Sequence, residues 1–397
     1  MAPGLERCQR TQRDARRWVV ALTSVNKHPS SRAHDARYAM PFLVKAKWRY
    51  AMKLAVRSAL VGLCLAASFA WAGPVEDATA LMERGDKVGA LQVVREAAER
   101  GDAAAQAMLG SLYVYGFVVE RDYDMALAWF RKSAQQGDAE GQYNVGVMYQ
   151  NGLGVGKDAK VAAEWYRKAA EQGHRSAQFN LGVLYDDGTG VEKDPAQAMA
   201  WFRKAAERGH AGAMARIGLI YLQGTGVDKN ETEAYAWYLR AAEAGDPHSQ
   251  VMVSFMLARG RGTAKDEAAS LVWLRKAADA GLPAAQFMLG MRYHSGEGVE
   301  HSDTEAVRWL QAAAERGYPP AQLRLGIFYE DGTGVERDII ESQVWVTLAA
   351  KLSGESAVVE LRDAGRSRLT REQRAEVDRR VQAWRPIPSE QPRVGSR

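Results

Sequence analysis

The chain has 397 residues, with 53 Lys or Arg, 48 Asp or Glu and two cysteines. The basic excess is local: residues 1–72 hold 13 of the basic and 3 of the acidic side chains, leaving 40 against 45 and a net charge of about −5 beyond them, which excludes a nucleic-acid-binding surface. Both cysteines, Cys8 and Cys64, lie in that same stretch, which excludes disulfides and thiolate metal sites from the rest of the chain.

Residues 1–51 are Arg-rich and aperiodic, with no apolar stripe that would fold, and read as a non-native upstream extension to a chain that starts at Met52. Arg16-Arg17-Trp18 resembles a twin-arginine signal only weakly, because the apolar run after it is short. Residues 52–72 read as a secretory signal peptide. Met52-Lys53 and Arg57 supply the positive region, Ser58 to Ala70 runs apolar without a charge, and Ala70-Trp71-Ala72 supplies the small residues before the cleavage site. The run is shorter than the roughly 18 to 20 apolar residues of a membrane span. Leu63 before Cys64 is also wrong for lipid attachment. The expectation is a periplasmic or secreted protein with no stable membrane anchor after cleavage.

Residues 73–101 keep Ala90 and Gly101 in register with the repeats beyond them and read as N-terminal capping helices. Residues 102–354 then repeat. Trp129, Trp165, Trp201, Trp237, Trp273, Trp309 and Trp345 stand 36 residues apart without a slip. A period of that length marks an array whose units bury their apolar faces only against neighbours. In the third unit, Ala177, Leu181 and Tyr185 make one helical stripe, and Ala198, Trp201, Phe202 and Ala205 make a second. The predicted fold is all-α, an α/α superhelical solenoid of about seven 36-residue helix-turn-helix repeats with helical caps. Residues 355–385 supply the C-terminal caps, with Thr370 and Gln373 opening the last helix, and residues 386–397 read as a disordered tail.

The boundaries recur too. Seven residues before each Trp stands Asp122, Asp158, Asp194, Asn230, Asp266, Ser302 or Asp338, each able to accept from the free N–H groups of a first turn. Glu233, Glu305 and Glu341 stand where they would complete capping boxes. Glycines close both helices of each unit. A further series, Gly110, Gly146, Gly182, Gly218, Gly290 and Gly326, interrupts good helix at about 1 kcal/mol each, so something must need the space. The Trp or the partner helix backbone is the expected tenant.

The combination A-x-x-x-L-G-x-x-Y, G-x-G-V and A-x-x-W-[FY]-x-K-A-A over 36 residues resembles the Sel-one-like repeat (SLR) family, relatives of the tetratricopeptide repeats. The resemblance implies a superhelix with a concave groove that acts as an adaptor in protein assembly. Bacterial secreted members are tied to envelope, polysaccharide or signalling functions. Members associated with β-lactam hydrolysis carry paired repeat cysteines, which are absent here.

No G-x-S-x-G or H-E-x-x-H motif supports an enzyme, and no cofactor or metal is expected. The loops Asp186 to Val191 and Glu330 to Val335 lack the preceding strand and third Gly of a dinucleotide loop and the ligand spread of an EF-hand, so they read as turns. His174 and His210 read as turn or cap residues, His294 and His301 as solvated. The basic loop Arg259-Gly260-Arg261-Gly262 with Lys265 reads as solvated surface. Two positions before the helix Gly, the occupants vary. Asn144 and Asn180 suit hydrogen bonds to an extended peptide backbone, and Arg216 and Arg324 suit its acidic groups. The expected function is an exported protein–protein interaction scaffold of the cell envelope, binding a protein or peptide in a concave groove. An envelope polysaccharide- or peptidoglycan-binding or -processing protein is the alternative.

Overall fold

The computed structural model describes residues 73–388. Residues 73–79 and 87–388 form one compact body, and residues 80–86 belong to a second unit. The expected extension and signal peptide, residues 1–72, lie outside the described residues. Among the described residues there are 18 helices and no strand. α1 (Pro74–Glu83) and α2 (Lys87–Glu99) come first. Seven helix pairs come next: α3 (Ala103–Tyr115) with α4 (Tyr123–Gln135), α5 (Ala139–Asn151) with α6 (Ala159–Glu171), α7 (Arg175–Asp187) with α8 (Pro195–Glu207), and α9 (Ala211–Gln223) with α10 (Glu231–Glu243). Then come α11 (Pro247–Arg259) with α12 (Glu267–Asp279), α13 (Pro283–Ser295) with α14 (Asp303–Glu315), and α15 (Pro319–Asp331) with α16 (Ile339–Ser353). α17 (Ser356–Ser367) and α18 (Arg371–Ala383) close the solenoid.

All seven second helices of the pairs begin at the expected caps, from Asp122 to Asp338, with each side chain accepting from a first-turn N–H. The three proposed capping boxes take another form. Glu305 turns to Arg308 at 2.8 Å and Glu341 to Arg380 of α18, while Thr370 and Gln373 alone close a reciprocal box among the described residues. The cap N–H that each box needs is already spent, since Asn230, Ser302 and Asp338 N–H donate to the carbonyls of Tyr221, Tyr293 and Tyr329 at 2.9 to 3.0 Å.

Within each unit the helices meet where one gives up a side chain. A Cβ on Gly182 would fall 2.7 Å from the Phe202 ring and 3.3 Å from the Ala198 carbonyl. Gly110 and Gly146 stand the same way to Phe130 and Tyr166. The tenant of the space is therefore the residue after the Trp, together with the partner backbone, and not the Trp itself. Phe130, Tyr166 and Phe202 are among the largest fully buried side chains, whereas Trp129, Trp165 and Trp237 are half-buried or exposed. Each Trp instead reaches back onto the core of the preceding unit. Trp201 joins Tyr143, Tyr166 and Leu181, and Trp237 lies on Phe202 and Ile217. A cation three residues on covers the outer ring face: Lys204 Nζ sits 4.0 Å from the Trp201 ring and Lys168 Nζ 4.1 Å from Trp165.

The fifth unit shows how the contact changes when its glycine is lost. Ser254 replaces it, the facing position becomes Ser270, and the two hydroxyls bond at 3.0 Å in a buried site beside Leu274, where the first four units have an aromatic ring. The loop after it is neutralised locally, with Arg261 paired to Glu231 and Lys265 to Glu267 at 3.1 Å.

The Gly-x-Gly loops are turns held by neighbours. A Cβ on Gly190, at φ +73°, would fall 2.3 Å from the Ala159 carbonyl of the preceding unit, so only glycine fits. The first unit breaks this rule: Val118 occupies the matching place at φ 71°, the left-handed region a β-branched residue disfavours. At the far end, Arg366 forks onto Asp378 at 2.8 and 3.0 Å, and Leu369 and Val377 join the core cluster of Trp345. Ile387 N–H donates to the Glu315 carbonyl at 2.8 Å, so the start of the expected tail is held, and residues 389–397 lie outside the described residues.

Three substitutions test this packing by urea denaturation. Phe202→Ala should cost about 3–5 kcal/mol as a large core truncation. Gly182→Ala should also destabilise, because overpacking against the ring, about 1–3 kcal/mol, outweighs the ~1 kcal/mol gain in helix propensity. Val118→Gly should raise the midpoint, by about 1 kcal/mol of relieved left-handed strain.

Candidate functional site

The variable positions chosen from the sequence lie on the first helices of the pairs. Asn144 of α5 is half-buried and its Nδ2 donates to Glu140 Oε1 at 3.3 Å. Asn180 of α7 lies near the hydroxyls of Tyr143 and Tyr166, across the unit boundary, and favours their charged forms. Arg216 of α9 stands 3.9 Å from Asp186 of α7. Arg324, also half-buried, stands on α15, three repeats further along. The first three thus belong to one polar run through the second to fourth units, and Arg324 is separate from it.

That run holds residues the pattern alone did not mark. Glu140 accepts from Asn144 and also meets His174 Nε2 at 3.0 Å. His174 caps α7: its Nδ1 accepts the Ala177 N–H at 3.1 Å, which places the neutral ring's proton on Nε2, where it donates to Glu140. Its ring stacks on Tyr143 at 4.5 Å. His210 repeats the arrangement on Phe179 at 4.5 Å and caps α9. The cap reading of both histidines holds, and the signal was their shared position after the closing glycine. His294 departs from the solvated reading. It bonds Asp303 at 2.6 Å and packs on Phe328, because its ring lies beside the seventh unit's core.

Burial sets the protonation of the tyrosines. Tyr115 is pushed up to about 12 by burial and then by the Glu140 charge. Tyr143 and Tyr166 lie well above the usual phenol value for the same first reason, against the opposing effect of Asn180. Burial raises Tyr238 to about 12, with Arg216 pulling it down. All four hydroxyls are therefore neutral at physiological pH. Tyr166 spends its proton on Gln150 Oε1 at 2.5 Å.

A second series escaped sequence reading. Gln106, Gln178, Gln250, Gln286 and Gln322 are buried, and each donates at 3.0 to 3.2 Å to a carbonyl eight residues back, at the end of the preceding helix. They are a second donor to last-turn carbonyls that also accept the N–H of the closing glycine. Their recurrence at one repeat position was the available signal.

Seven consecutive segments, 103–138, 139–174, 175–210, 211–246, 247–282, 283–318 and 319–353, match the Sel1 repeat. The chain belongs to the Sel1 repeat family. It is 33% identical to c5321, a protective antigen of uropathogenic Escherichia coli with an SLR fold, over 78% of this chain and 68% of that one, with a TM-score of 0.64. It is 36% identical to a Sel1 repeat protein from Oxalobacter formigenes over 60% of this chain and 98% of that one, with a TM-score of 0.58. No curated protein matches. Sel1 repeat proteins generally mediate protein–protein interaction, and their solenoid is typical of non-enzymatic scaffolds. Among the described residues of this chain no group of three or more His, Cys, Asp or Glu could hold a metal, and no helix is long and apolar enough to cross a membrane.

Asn180→Ala should cost about 1 kcal/mol, because it removes a polar neighbour from two largely buried hydroxyls. Asn144→Ala, whose one bond is to a half-exposed carboxylate, should fall within about 0.5 kcal/mol of wild type. Paired thermal melts separate the two.

Proposed function

We propose that this Sel1 repeat protein is an exported scaffold of the cell envelope, whose first-helix surface holds an extended segment of a partner polypeptide. The observation that carries the reading is the polar run that crosses unit boundaries, from Glu140 and Asn144 through Asn180 to Asp186 and Arg216. Amide side chains offer a donor and an acceptor to a peptide backbone, and Arg216 offers a guanidinium to a carboxylate on the guest. Neighbouring helices pack about 8–10 Å apart, the length of about three extended residues, so the two spacings between the three units of the run match a segment of roughly six residues. An extended backbone supplies the regular row of polar groups that such a repeating surface can read. Export is supported by the signal-like sequence of residues 52–72, and the protective-antigen role of the SLR protein from Escherichia coli accords with it.

Two experiments address the two halves. In native cells, crosslinking through a photoreactive residue at position 144 should capture a discrete polypeptide, and Arg216→Ala should weaken that capture about tenfold, or ~1.4 kcal/mol, while leaving the melting temperature unchanged. Capture of glycan without protein would favour the polysaccharide alternative. N-terminal sequencing of the natural protein should find Gly73 first, in the periplasmic or secreted fraction. A natural protein beginning near residue 2 in the cytosol would end the export reading.

A further inference from the structure

The repeats share a link that four of six junctions keep. Two residues after the Trp, an arginine of one unit donates to a tyrosine hydroxyl of the next: Arg131 to Tyr149 at 2.8 Å, Arg167 to Tyr185 at 2.9 Å, Arg203 to Tyr221 at 3.1 Å, and Arg275 to Tyr293 at 2.6 Å. Between the fourth and fifth units both partners become apolar, Leu239 and Leu257, and pack into one cluster. Between the sixth and seventh units only one partner changes. Gln311 replaces the arginine and turns along its own helix to Glu315 at 2.9 Å, while Tyr329 remains.

A cleft of about 750 Å³ lies there, lined by Gln311, Tyr329, Val335 and Trp345 and by the carboxylates of Glu336 and Glu341. The Tyr329 hydroxyl has no hydrogen-bond partner among the described residues. The other polar groups of the lining, Glu336 apart, are committed. Asp338 caps α16, Arg337 Nε donates to the Glu330 carbonyl, and Glu341 holds Arg380 through one oxygen. The cleft is distinct from the polar run: Tyr329 lies five residues beyond Arg324, about 140° round the same helix.

We propose that this cleft receives the guanidinium of an arginine side chain on a partner polypeptide. Four other junctions of the same chain show what fits: a planar cation that donates to the tyrosine hydroxyl. At the seventh unit that place is lined in addition by acidic groups, with Val335 and Trp345 available to an aliphatic stem. A lysine reaches the hydroxyl with a point charge and lacks the fork that could serve Tyr329 and a carboxylate together. The inference rests on the protein-binding reading of Sel1 repeats but not on the polar run of the earlier units.

The test uses fluorescence anisotropy on the full chain with the peptide acetyl-Ala-Ala-Arg-Ala-Ala-amide, labelled, and its citrulline and lysine counterparts. The arginine peptide should bind saturably, and both counterparts about tenfold or more weakly. Gln311→Arg should abolish binding by restoring the internal link, with an unchanged or higher melting temperature, which separates occupancy of the cleft from misfolding. Tyr329→Phe should weaken binding severalfold. Equal binding of citrulline or lysine peptide, or equal binding by wild type and Gln311→Arg, would overturn the proposal. So would acetyl-arginine-amide matching the peptide, since that would mark a small-molecule site. Arg216→Ala should leave arginine-peptide binding unchanged; a loss there would move the peptide to the polar run and overturn the cleft assignment.

Discussion

Every unit of this solenoid depends on the approach of its two helices, in all but the fifth at a missing Cβ. At Gly182 the ring of Phe202 comes so near the backbone that an added methyl would lie 2.7 Å from it, and the Ala198 carbonyl closes the same space. A large ring in a small hole is a steep constraint, because dispersion falls quickly with any gap and repulsion rises quickly with any excess. It sets the spacing of the pair, and the pair sets what the outer residues can touch. The fifth unit supports this by exception: with Ser254 in place of glycine, the facing Ser270 and Leu274 change with it, and a buried hydroxyl pair takes over the contact.

The pairs are then tied in series by contacts that each use a group left over by the pair itself. The Trp that does not fit the hole reaches the preceding core and takes a lysine or arginine over its outer face. The buried glutamines use the second lone pair of last-turn carbonyls that the closing glycines already bond, and the Arg–Tyr links stitch the outer side. In a linear array stability is a sum of such neighbour terms, so a junction that lacks one of them can be opened to another use without unfolding the rest. The junction at Gln311 and Tyr329 has that character, since the seventh unit is also held by α18 through Arg380 and Glu341.

The polar run of the second to fourth units has a different origin. Tyr143 and Tyr166 are buried because they belong to the packing of their pairs, yet their hydroxyls need polar surroundings, and the adjacent first helices supply them, with Gln150 bonding Tyr166 and Asn180 lying near both. A surface arises whose polar groups are positioned by the core beneath. Such preorganisation suits recognition of an extended chain, because the side chains that would contact it are already ordered.

Much of this was legible in the chain itself. The period, the capping residues from Asp122 to Asp338, the closing glycines and the two cap histidines obey local rules of helix ends, which act over four or five residues and so appear in sequence. The outer position of the Trp did not appear there, because a tryptophan and the phenylalanine or tyrosine after it are both apolar at helical spacing, and only the direction of the partner helix decides which fills the hole. The capping boxes were likewise lost across helices, because the cap N–H groups of Asn230, Ser302 and Asp338 donate to tyrosine carbonyls of the helix before. Asn144 and Asn180 could be marked as variable positions from spacing, but that Asn180 lies near Tyr143 and Tyr166, and that Arg324 stands apart from the other three, depends on the stacking of units. Local backbone chemistry wrote the elements and their ends into the sequence. Which side chains meet across elements was decided by the tertiary structure, because those meetings depend on distances that the order of residues does not carry.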